Sequence, residues 1–125
     1  MKRAFVSAAT LLAISLGLAL NVSSQGRSTL EEIDDFTDKT GTLKFDLNAS
    51  PGMKTARLKV KVNIETGRAE WKLLDPRGNV RLTGRGAGGR VSTDTGDLQP
   101  IAGVWKLEIE LKNASGDYHI NWVAR

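Results

Sequence analysis

An alternation of apolar and charged residues with a period of two is the feature of this sequence that most constrains its fold. Residues 57–65 read RLKVKVNIE, and residues 105–112 read WKLEIELK. Successive side chains of a β-strand point to opposite faces, so each segment places its apolar residues on one face and its charged residues on the other. This pattern is typical of antiparallel strands with one face buried and one face in water.

Turn signals separate further segments of the same kind. The other segments that alternate are residues 43–47, 69–73, 80–82 and 118–122. Asp75-Pro76-Arg77-Gly78 favours a tight turn, and no segment after residue 40 has helical periodicity of ordinary length. Short strands at this spacing predict an all-β fold, a single antiparallel β-sandwich of about seven strands with jelly-roll or Ig-like topology.

The start of the chain has the pattern of a secretory signal. Lys2 and Arg3 precede seventeen uncharged, largely apolar residues at 4–20, and small polar residues follow. This predicts a signal peptide at residues 1–24, cleaved after Ser24. A retained membrane anchor is the alternative, but the apolar stretch is short for a span and is diluted by Ser, Thr and Gly. We therefore expect a secreted or periplasmic protein with no membrane span after cleavage of the signal.

Residues 25–40 differ from the rest of the mature chain. They are rich in Asp and Glu, and Leu30, Ile33 and Phe36 are spaced by three. This predicts an acidic lead-in that is either flexible or a short helix, since so short a helix is marginal alone. The predicted organisation is a signal peptide at 1–24, the lead-in at 25–40 and the β-sandwich domain at 41–125.

The composition excludes several classes of chemistry. The chain of 125 residues has no cysteine and one histidine, which excludes thiol chemistry, disulfides and metal sites built from several histidines or cysteines. The formal charge of +4 falls to +2 when Lys2 and Arg3 leave with the signal peptide. So small a charge, together with export, argues against nucleic acid as a partner. No cofactor is expected, and calcium is the one metal kept as an alternative.

A glycine-rich segment with three arginines suggests ligand binding at first sight. Residues 84–89, GRGAGG, match the letters of a dinucleotide-binding fingerprint, but that fingerprint requires a following helix, which the sequence lacks. We interpret the segment as a flexible hairpin loop or a bulged edge. Arg81, Arg85 and Arg90 are the candidate residues for binding an anionic ligand, and solvated loop arginines are the alternative.

Three aspartates are the remaining candidates for chemistry. Asp94-Thr95-Gly96 has the letters of an aspartic-protease triplet, but such a site requires two carboxylates sharing a proton between apolar flanks, and the flanks here are polar. Asp94, Asp97 and Asp117 are candidate oxygen ligands for calcium, with turn formation as the alternative role. His119 is expected on the surface, without a general-base role. No catalytic residue is therefore predicted, and the protein is not expected to be an enzyme.

Three segments resemble those of a known group of modules. They are residues 74–80 (LDPRGNV), 101–107 (IAGVWKL) and 115–120 (SGDYHI). Together they resemble the jelly-roll sandwiches appended to secreted bacterial proteases, the pre-peptidase C-terminal domains, and more loosely the proprotein convertase P-domains. The resemblance covers residues 42–124 and implies a non-catalytic exported β module that binds or stabilises something. The chain has no attached peptidase, and no catalytic residue or calcium ligand is carried over.

The expected function is that of an exported, non-catalytic β-sandwich module with a binding or structural role outside the cytoplasm, acting on a protein or glycan partner. One alternative is a carbohydrate-binding module, which needs at least one tryptophan on an exposed face. The strand phase instead predicts that Trp71, Trp105 and Trp122 lie in the core. Another alternative is an envelope-associated assembly subunit, in which an edge strand pairs with another chain.

Overall fold

The computed structural model describes residues 22–24 and 26–125, in which all regular structure is β-strand. The strands are β1 (Val22–Ser24), β2 (Arg27–Ala49), β3 (Ala56–Leu74), β4 (Val80–Gly86), β5 (Gly89–Asp94) and β6 (Gly103–Ala124). Residues 1–21 of the predicted signal peptide lie outside the described residues, and its last three residues form β1. In the described part of the chain, no helix is long and apolar enough to cross a membrane.

The strands form one antiparallel sheet. Its order is β1-β2-β6-β3-β4, and β5 also pairs with β3. Two of the long strands, β2 and β3, therefore flank the third, β6. The short strands β4 and β5 follow one another along the same side of β3, β4 beside its C-terminal part and β5 beside its N-terminal part.

Each of the three long strands bends near its middle and continues from one layer of the sandwich into the other. Their pairing shifts at residues 36–41 of β2 and 64–68 of β3, both opposite residues 111–116 of β6. The first layer contains residues 27–36, 56–64 and 116–124 with β1 and β5, and the second layer contains residues 41–49, 68–74 and 103–111 with β4. The two layers pack face to face, which confirms the predicted antiparallel β-sandwich. In the described residues it is built from six strands, because three of them serve both layers.

The core lies between the two layers. Its largest fully buried side chains are Trp105, Trp122, Leu47, Leu58, Ile64, Leu73, Leu107, Ile109, Leu111 and Ile120. The rings of Trp105 and Trp122, one from each layer, have centroids 5.6 Å apart. Trp122 Nε1 donates to the Asn48 carbonyl oxygen at 3.0 Å, and Trp71 Nε1 donates to Thr93 Oγ1 at 2.9 Å. Each of these bonds joins one layer to the other, so the buried indoles satisfy their N–H groups and fix how the layers stack.

Two glycines allow the backbone segments to approach closely at the bend. A Cβ on Gly116 would overlap the carbonyl oxygen of Asn63, and a Cβ on Gly67 would overlap the carbonyl group of Asn113. Gly67 also has a φ of 77°, in the left-handed region that other residues rarely adopt. Glycine is therefore required at both positions for the strands to cross from one layer to the other.

The prediction of a flexible or helical lead-in at residues 25–40 is wrong. Residues 27–40 belong to β2, which continues without interruption into the predicted domain. Leu30 and Phe36 are buried, whereas Ile33 is 67% exposed. Positions 30 and 36 share one face of a strand and position 33 lies on the other, so the spacing of three did not reflect a helix. Pairing with β6 stabilises the segment, so residues 27–40 are part of the sandwich.

The glycine-rich segment interrupts an edge of the sandwich and is not a hairpin, because β4 and β5 both run antiparallel to β3 and the chain keeps its direction between them. β4 ends at Gly86 and β5 begins at Gly89, so the connection passes from the second layer to the first within two residues. The predicted hairpin loop is therefore wrong, and the alternative of an irregular edge describes the segment better. No helix follows it among the described residues, which argues against a nucleotide-binding loop.

Candidate functional site

The outer face of the second layer carries a dense set of charged side chains. We call this surface the charged face. It consists of Thr42, Lys44 and Asp46 of β2, Glu70 and Lys72 of β3, Thr83 and Arg85 of β4, and Lys106, Glu108 and Glu110 of β6. Their sequence neighbours point into the core, so the two-residue alternation places these side chains on the solvent side.

A depression of about 730 Å³ lies on the charged face. It is lined by Thr42, Glu70, Trp71, Lys72, Thr83, Gly84, Arg85, Glu108 and Glu110. Four adjacent strands contribute to this lining, and the volume is within the range of roughly 300–1,000 Å³ that is usual for small-ligand sites. The depression is therefore the candidate binding site.

The charges in the depression are incompletely paired. Lys72 Nζ lies 3.8 Å from Glu108 Oε1. Glu70 is directly opposite Glu110 on one side and Arg85 on the other, but none of these three forms an ion pair with any described residue. Two carboxylates that face each other across a strand pair destabilise the sheet. The arrangement therefore does not serve fold stability, and it leaves acceptors and a donor free for a ligand.

The floor of the depression is held by core packing. Gly84 lies opposite Trp71, and a Cβ on Gly84 would overlap the Trp71 indole. The indole occupies the space left by the missing side chain, and its bond to Thr93 fixes its orientation. The polar side chains thus project from packed strands and not from loops, an arrangement that preorganises a binding site.

The three candidate arginines do not form a common anion site. Arg85 lines the depression, whereas Arg90 lies on β5 in the first layer. Arg81 Nη1 lies 3.3 Å from Asp75 Oδ2, and its guanidinium carbon is 5.3 Å from the centroid of the Trp105 ring. Arg81 is therefore held by an ion pair and a cation–π contact. Of the three, only Arg85 lines the depression.

Asp75 organises the turn that follows β3. Its Oδ1 accepts hydrogen bonds from the backbone N–H groups of Arg77 and Asn79 at 2.9 and 3.0 Å. Its carbonyl oxygen accepts one from Gly78 N–H at 2.9 Å. Burial opposes ionisation of Asp75, but the hydrogen bonds to its carboxylate, including one from Arg81, outweigh it and hold its pKa below the usual value. Turn chemistry therefore accounts for the DPRG segment.

Asp94 is committed to an ion pair. Arg57 Nε and Nη2 donate to Asp94 Oδ1 and Oδ2 at 3.0 and 2.7 Å, and Gly96 N–H donates to Oδ1 at 2.8 Å. These hydrogen bonds lower the pKa of Asp94 to about 2. An aspartic-protease site requires a carboxylate that shares a proton with a second carboxylate. The surroundings of Asp94 are incompatible with that alternative.

We expect Asp94 to make a small contribution to stability that depends on pH. Because its folded pKa of about 2 lies below the unfolded value of about 3.9, the ionised carboxylate stabilises the fold above about pH 4, and this contribution is lost as the pH falls toward 2. Asp94→Asn should lower the free energy of unfolding at pH 7 by at most about 1 kcal/mol, as is usual for an exposed pair. The difference from the wild type should shrink between pH 4 and pH 2 in urea unfolding followed by circular dichroism. A difference that does not change with pH would contradict this role.

The calcium candidates Asp94, Asp97 and Asp117 are not assembled into one site. Asp94 on β5 lies opposite Lys59 of β3, whereas Asp117 on β6 lies opposite Asn63 on the other side of β3. Two strand spacings of about 4.8 Å and four residues of about 3.3 Å each separate these positions. In the described ranges 22–24 and 26–125, no group of three His or acidic side chains is placed to hold a metal. The three aspartates therefore do not form the calcium site that the sequence suggested.

Two side-chain pairs connect the acidic half of β2 to β6. His119 Nε2 lies 2.8 Å from Glu31 Oε2 on the outer face of the first layer, where His119 was expected. Tyr118 Oη donates to Glu32 Oε2 at 2.9 Å. Burial raises the pKa of Glu32, although the hydrogen bond from Tyr118 partly opposes the shift. These pairs help to explain why so acidic a segment is part of the sheet.

No tryptophan is available as a stacking platform. Trp105 and Trp122 are 0% exposed and Trp71 is 3% exposed, as the strand phase predicted. Sugar stacking on an indole needs the face of the ring at the surface. Carbohydrate binding through an exposed tryptophan is therefore excluded, and sugar recognition by this chain would rest on polar side chains.

Most residues of the depression were not identified as candidates from the sequence. The alternation already places Glu70, Glu108 and Glu110 on the water-facing side of their strands. A solvated charged face is normal, however, and only the lateral order β2-β6-β3-β4 brings these residues together. The density of both charge signs at alternate positions of β3 and β6 was the signal that could have indicated the site.

Comparisons with known proteins relate this chain to other β proteins through the fold. No family model matches the sequence, and no curated protein is significantly similar to it. Among solved structures, a chain from the Bacillus endospore appendages, which form a family of disulfide-linked pili, matches with a TM-score of 0.51 and 12% identity. The match covers 87% of this chain and 95% of that chain. At this identity the likeness shows the fold alone.

Two further solved structures are similar at lower TM-scores. PliG, a periplasmic inhibitor of g-type lysozyme from Aeromonas hydrophila, matches with a TM-score of 0.48 and 14% identity over 83% of this chain and 92% of that chain. TmCBM61 in complex with beta-1,4-galactotriose matches with a TM-score of 0.47 and 13% identity over 78% of this chain and 70% of that chain.

Proposed function

We propose that the protein is an exported, non-catalytic β-sandwich module that binds a polyhydroxylated chain, such as a polysaccharide, in the depression of the charged face. The observation that carries this proposal is the lining of the depression, where Glu70, Glu110 and Arg85 lie side by side on packed strands and none of them forms an ion pair with a described residue. Its location outside the cytoplasm, secreted or periplasmic, rests on the predicted signal peptide at residues 1–24.

The mixed charge of the lining favours a neutral polar ligand. The carboxylates of Glu70 and Glu110 accept hydrogen bonds, and Arg85 and Lys72 donate them. Sugar hydroxyls both donate and accept, so neighbouring hydroxyls can satisfy groups of both kinds. A polyanion would be repelled by the glutamates and a polycation by Arg85 and Lys72. A hydroxyl group placed between Glu70 and Glu110 would also give each carboxylate the donor that the sheet does not provide.

The surroundings of the other titratable groups support a non-catalytic role. Asp94 is bound in a bidentate manner by Arg57, and His119 is paired with Glu31. Neither group is paired with a nucleophile or with a second proton-sharing carboxylate, which acid–base or nucleophilic catalysis would need. Binding without turnover is therefore the function that the surroundings of Asp94 and His119 favour.

Replacement of charged residues in the depression should weaken polysaccharide binding. Arg85→Gln and Glu70→Gln each remove one charged hydrogen-bonding partner of the ligand, and such a bond contributes roughly 1.5–3 kcal/mol. We therefore expect the association constant to fall by roughly tenfold or more for each variant. Affinity electrophoresis against a panel of soluble neutral polysaccharides would select the ligand, and isothermal titration calorimetry would measure the change.

Lys61→Gln and Glu65→Gln are the matched controls for these variants. They make the same changes of charge at exposed positions outside the charged face, and both should bind as the wild type does. An equal loss of binding in the controls would refute the depression as the site. Failure of the wild type to bind any neutral polysaccharide would refute the function.

A subunit of an envelope-associated assembly is the second candidate function. The observation that favours it is the outer edge of β2, where β1 covers residues 27–29 only and residues 30–49 have no neighbouring strand among the described residues. The Bacillus appendage chain of similar fold belongs to disulfide-linked pili. This chain has no cysteine, so its assembly would be noncovalent.

The resemblance to pre-peptidase C-terminal domains is kept as a hypothesis. The segments that carry it have structural roles in this fold, because Asp75 organises a turn and both Trp105 and Tyr118 are buried. These structural roles agree with a non-catalytic β-sandwich module of the same general kind.

A further inference from the structure

No described residue pairs with the outer edge of β2 beyond residue 29, so the backbone donors and acceptors of that edge are open to another strand. On one side, β2 pairs with β6 from Ser28 to Ala49. On the other side, β1 covers only residues 27–29, so residues 41–49 form the border of the second layer. An uncovered edge of this kind readily accepts a strand from another chain.

The sequence of this edge is complementary to itself when two copies run antiparallel about Phe45. In that register, Lys44 of one copy lies opposite Asp46 of the other, and the two-fold symmetry makes this pair twice. On the core side, Leu43 lies opposite Leu47 of the second copy, and the two Phe45 residues face each other. Opposite charges and apolar pairs at directly facing positions are the pairs that stabilise a sheet.

The same register extends a row of alternating charges that each molecule already contains. Lys72 Nζ lies 3.8 Å from Glu108 Oε1, and Glu108 lies directly opposite Lys44. In the next row, Lys106 Nζ lies 3.3 Å from Asp46 Oδ1. Pairing Lys44 with Asp46 of the second copy joins the two rows, so that positive and negative side chains alternate across both molecules without a break.

The burial of the edge residues agrees with an added strand. Leu43 and Phe45 are only partly buried, although both pack against the core. Leu47, on the same face of the strand, is fully buried. A second copy at the edge would cover the exposed parts of Leu43 and Phe45, which favours association through the hydrophobic effect.

Competing registers are less favourable. The two nearest registers that keep the core faces together are centred on Lys44 and on Asp46, and each places two like charges opposite each other. A shift by one residue would turn the core face of one copy toward water. The other half of β2 carries four acidic residues at positions 31–35, so self-pairing there would bring negative charges together.

We propose that the protein forms a two-fold dimer in which residues 42–48 of two β2 strands pair antiparallel about Phe45 and join the two second layers into one sheet. This pairing does not depend on ligand binding in the depression. It gives the assembly candidate a defined partner, which is a second copy of this chain.

Analytical ultracentrifugation of the purified protein over a range of concentrations should show a monomer–dimer equilibrium. Lys44→Asp and Asp46→Lys each replace the facing opposite charges by like charges, so each should raise the dissociation constant of the dimer by roughly tenfold or more. An equimolar mixture of the two variants should form a heterodimer, because every facing pair is then of opposite charge. Lys61→Asp, the same reversal on the outer face of the first layer, should leave the dimer unchanged.

Three results would overturn the proposal. They are a wild type that stays monomeric up to its solubility limit, a dimer that is insensitive to both reversals, and a mixture that forms no heterodimer although both variants retain the wild-type circular dichroism spectrum. If a reversal prevents folding, Lys44→Gln and Asp46→Asn take its place, since each removes an attraction without adding a repulsion. Each should weaken the dimer by a smaller factor in the same direction, and an unchanged dimer in both would refute the proposal.

Discussion

Gly116→Ala should destabilise the protein by about 3 kcal/mol or more, or prevent folding, which places it at the severe end of single substitutions. The added Cβ would overlap the carbonyl oxygen of Asn63 and approach the Cα atom of Ile64 to 3.2 Å. Both contacts are with the backbone of β3, so no side chain can rotate to relieve them. The strain would separate β6 from β3 at the bend, where both strands continue from one layer into the other. Urea unfolding followed by tryptophan fluorescence measures the loss.

Gly88→Ala is the matched control for this substitution. Gly88 and Gly116 both have a φ of 159°, but a Cβ on Gly88 would meet no atom within 4 Å. The difference between the two variants therefore isolates the steric overlap from the cost of the backbone conformation. We expect Gly88→Ala to change the free energy of unfolding by about 1 kcal/mol or less. Equal effects of the two substitutions would show that the close approach at the bend does not limit stability.

Trp122→Ala should cost roughly 3–5 kcal/mol of the free energy of unfolding, as is usual for a large buried aromatic residue. The Trp122 side chain is fully buried, packs on Trp105 of the other layer, and donates its N–H to the Asn48 carbonyl. Its removal would leave a cavity between the layers and an unsatisfied carbonyl group. Trp122→Phe retains most of the volume, so we expect a smaller loss of roughly 1–3 kcal/mol for the unpaired carbonyl.

Chemical denaturation followed by far-ultraviolet circular dichroism would measure both variants. Val104→Ala is the control, because Val104 is 43% exposed and its truncation should change stability by no more than about 0.5 kcal/mol. The expected order of destabilisation is Trp122→Ala, then Trp122→Phe, then Val104→Ala. A loss as small for Trp122→Ala as for the control would mean that the contact between the layers contributes little.

The layered β architecture could be predicted from the sequence because a two-residue alternation reports directly which face of a strand is buried. The number of strands was harder to predict. Gly67 and Gly116 look like turn residues, but in the structure each lies inside a long strand at the bend. A glycine at the point where the apolar–polar alternation changes phase is typical of both a hairpin turn and a bulge. Only the pairing partner of the segment distinguishes the two.

The acidic half of β2 was missed for a related reason. Its two buried apolar residues, Leu30 and Phe36, are separated by exposed or partly exposed positions that include four acidic residues, so the local alternation is weak. Its strand conformation depends on pairing with β6, whose partner residues lie about ninety positions later in the chain. A strand that forms through pairing with such distant residues is difficult to recognise from its local composition.

The depression depends even more on long-range pairing. Glu70 lies opposite Arg85 on one side and Glu110 on the other, and these residues come from three different strands. The sequence indicates that each side chain faces water, but not which strands are neighbours. Arg85 was a candidate because a glycine-rich segment surrounds it. Glu70 and Glu110 lie in regular strands and were not candidates.

Continuity of the backbone through the bend makes the two layers mechanically inseparable. In a sandwich whose layers are joined only by loops, one layer can slide on the other or melt first while its partner persists. Here such a movement would have to disrupt β2, β3 and β6 at the bend at the same time, because each of these strands continues through it. Partial melting is therefore confined to the short strands β4 and β5, and the rest of the domain should be lost in one cooperative step. The shape of the charged face consequently depends on the integrity of the opposite layer, although that layer contributes no side chain to the depression.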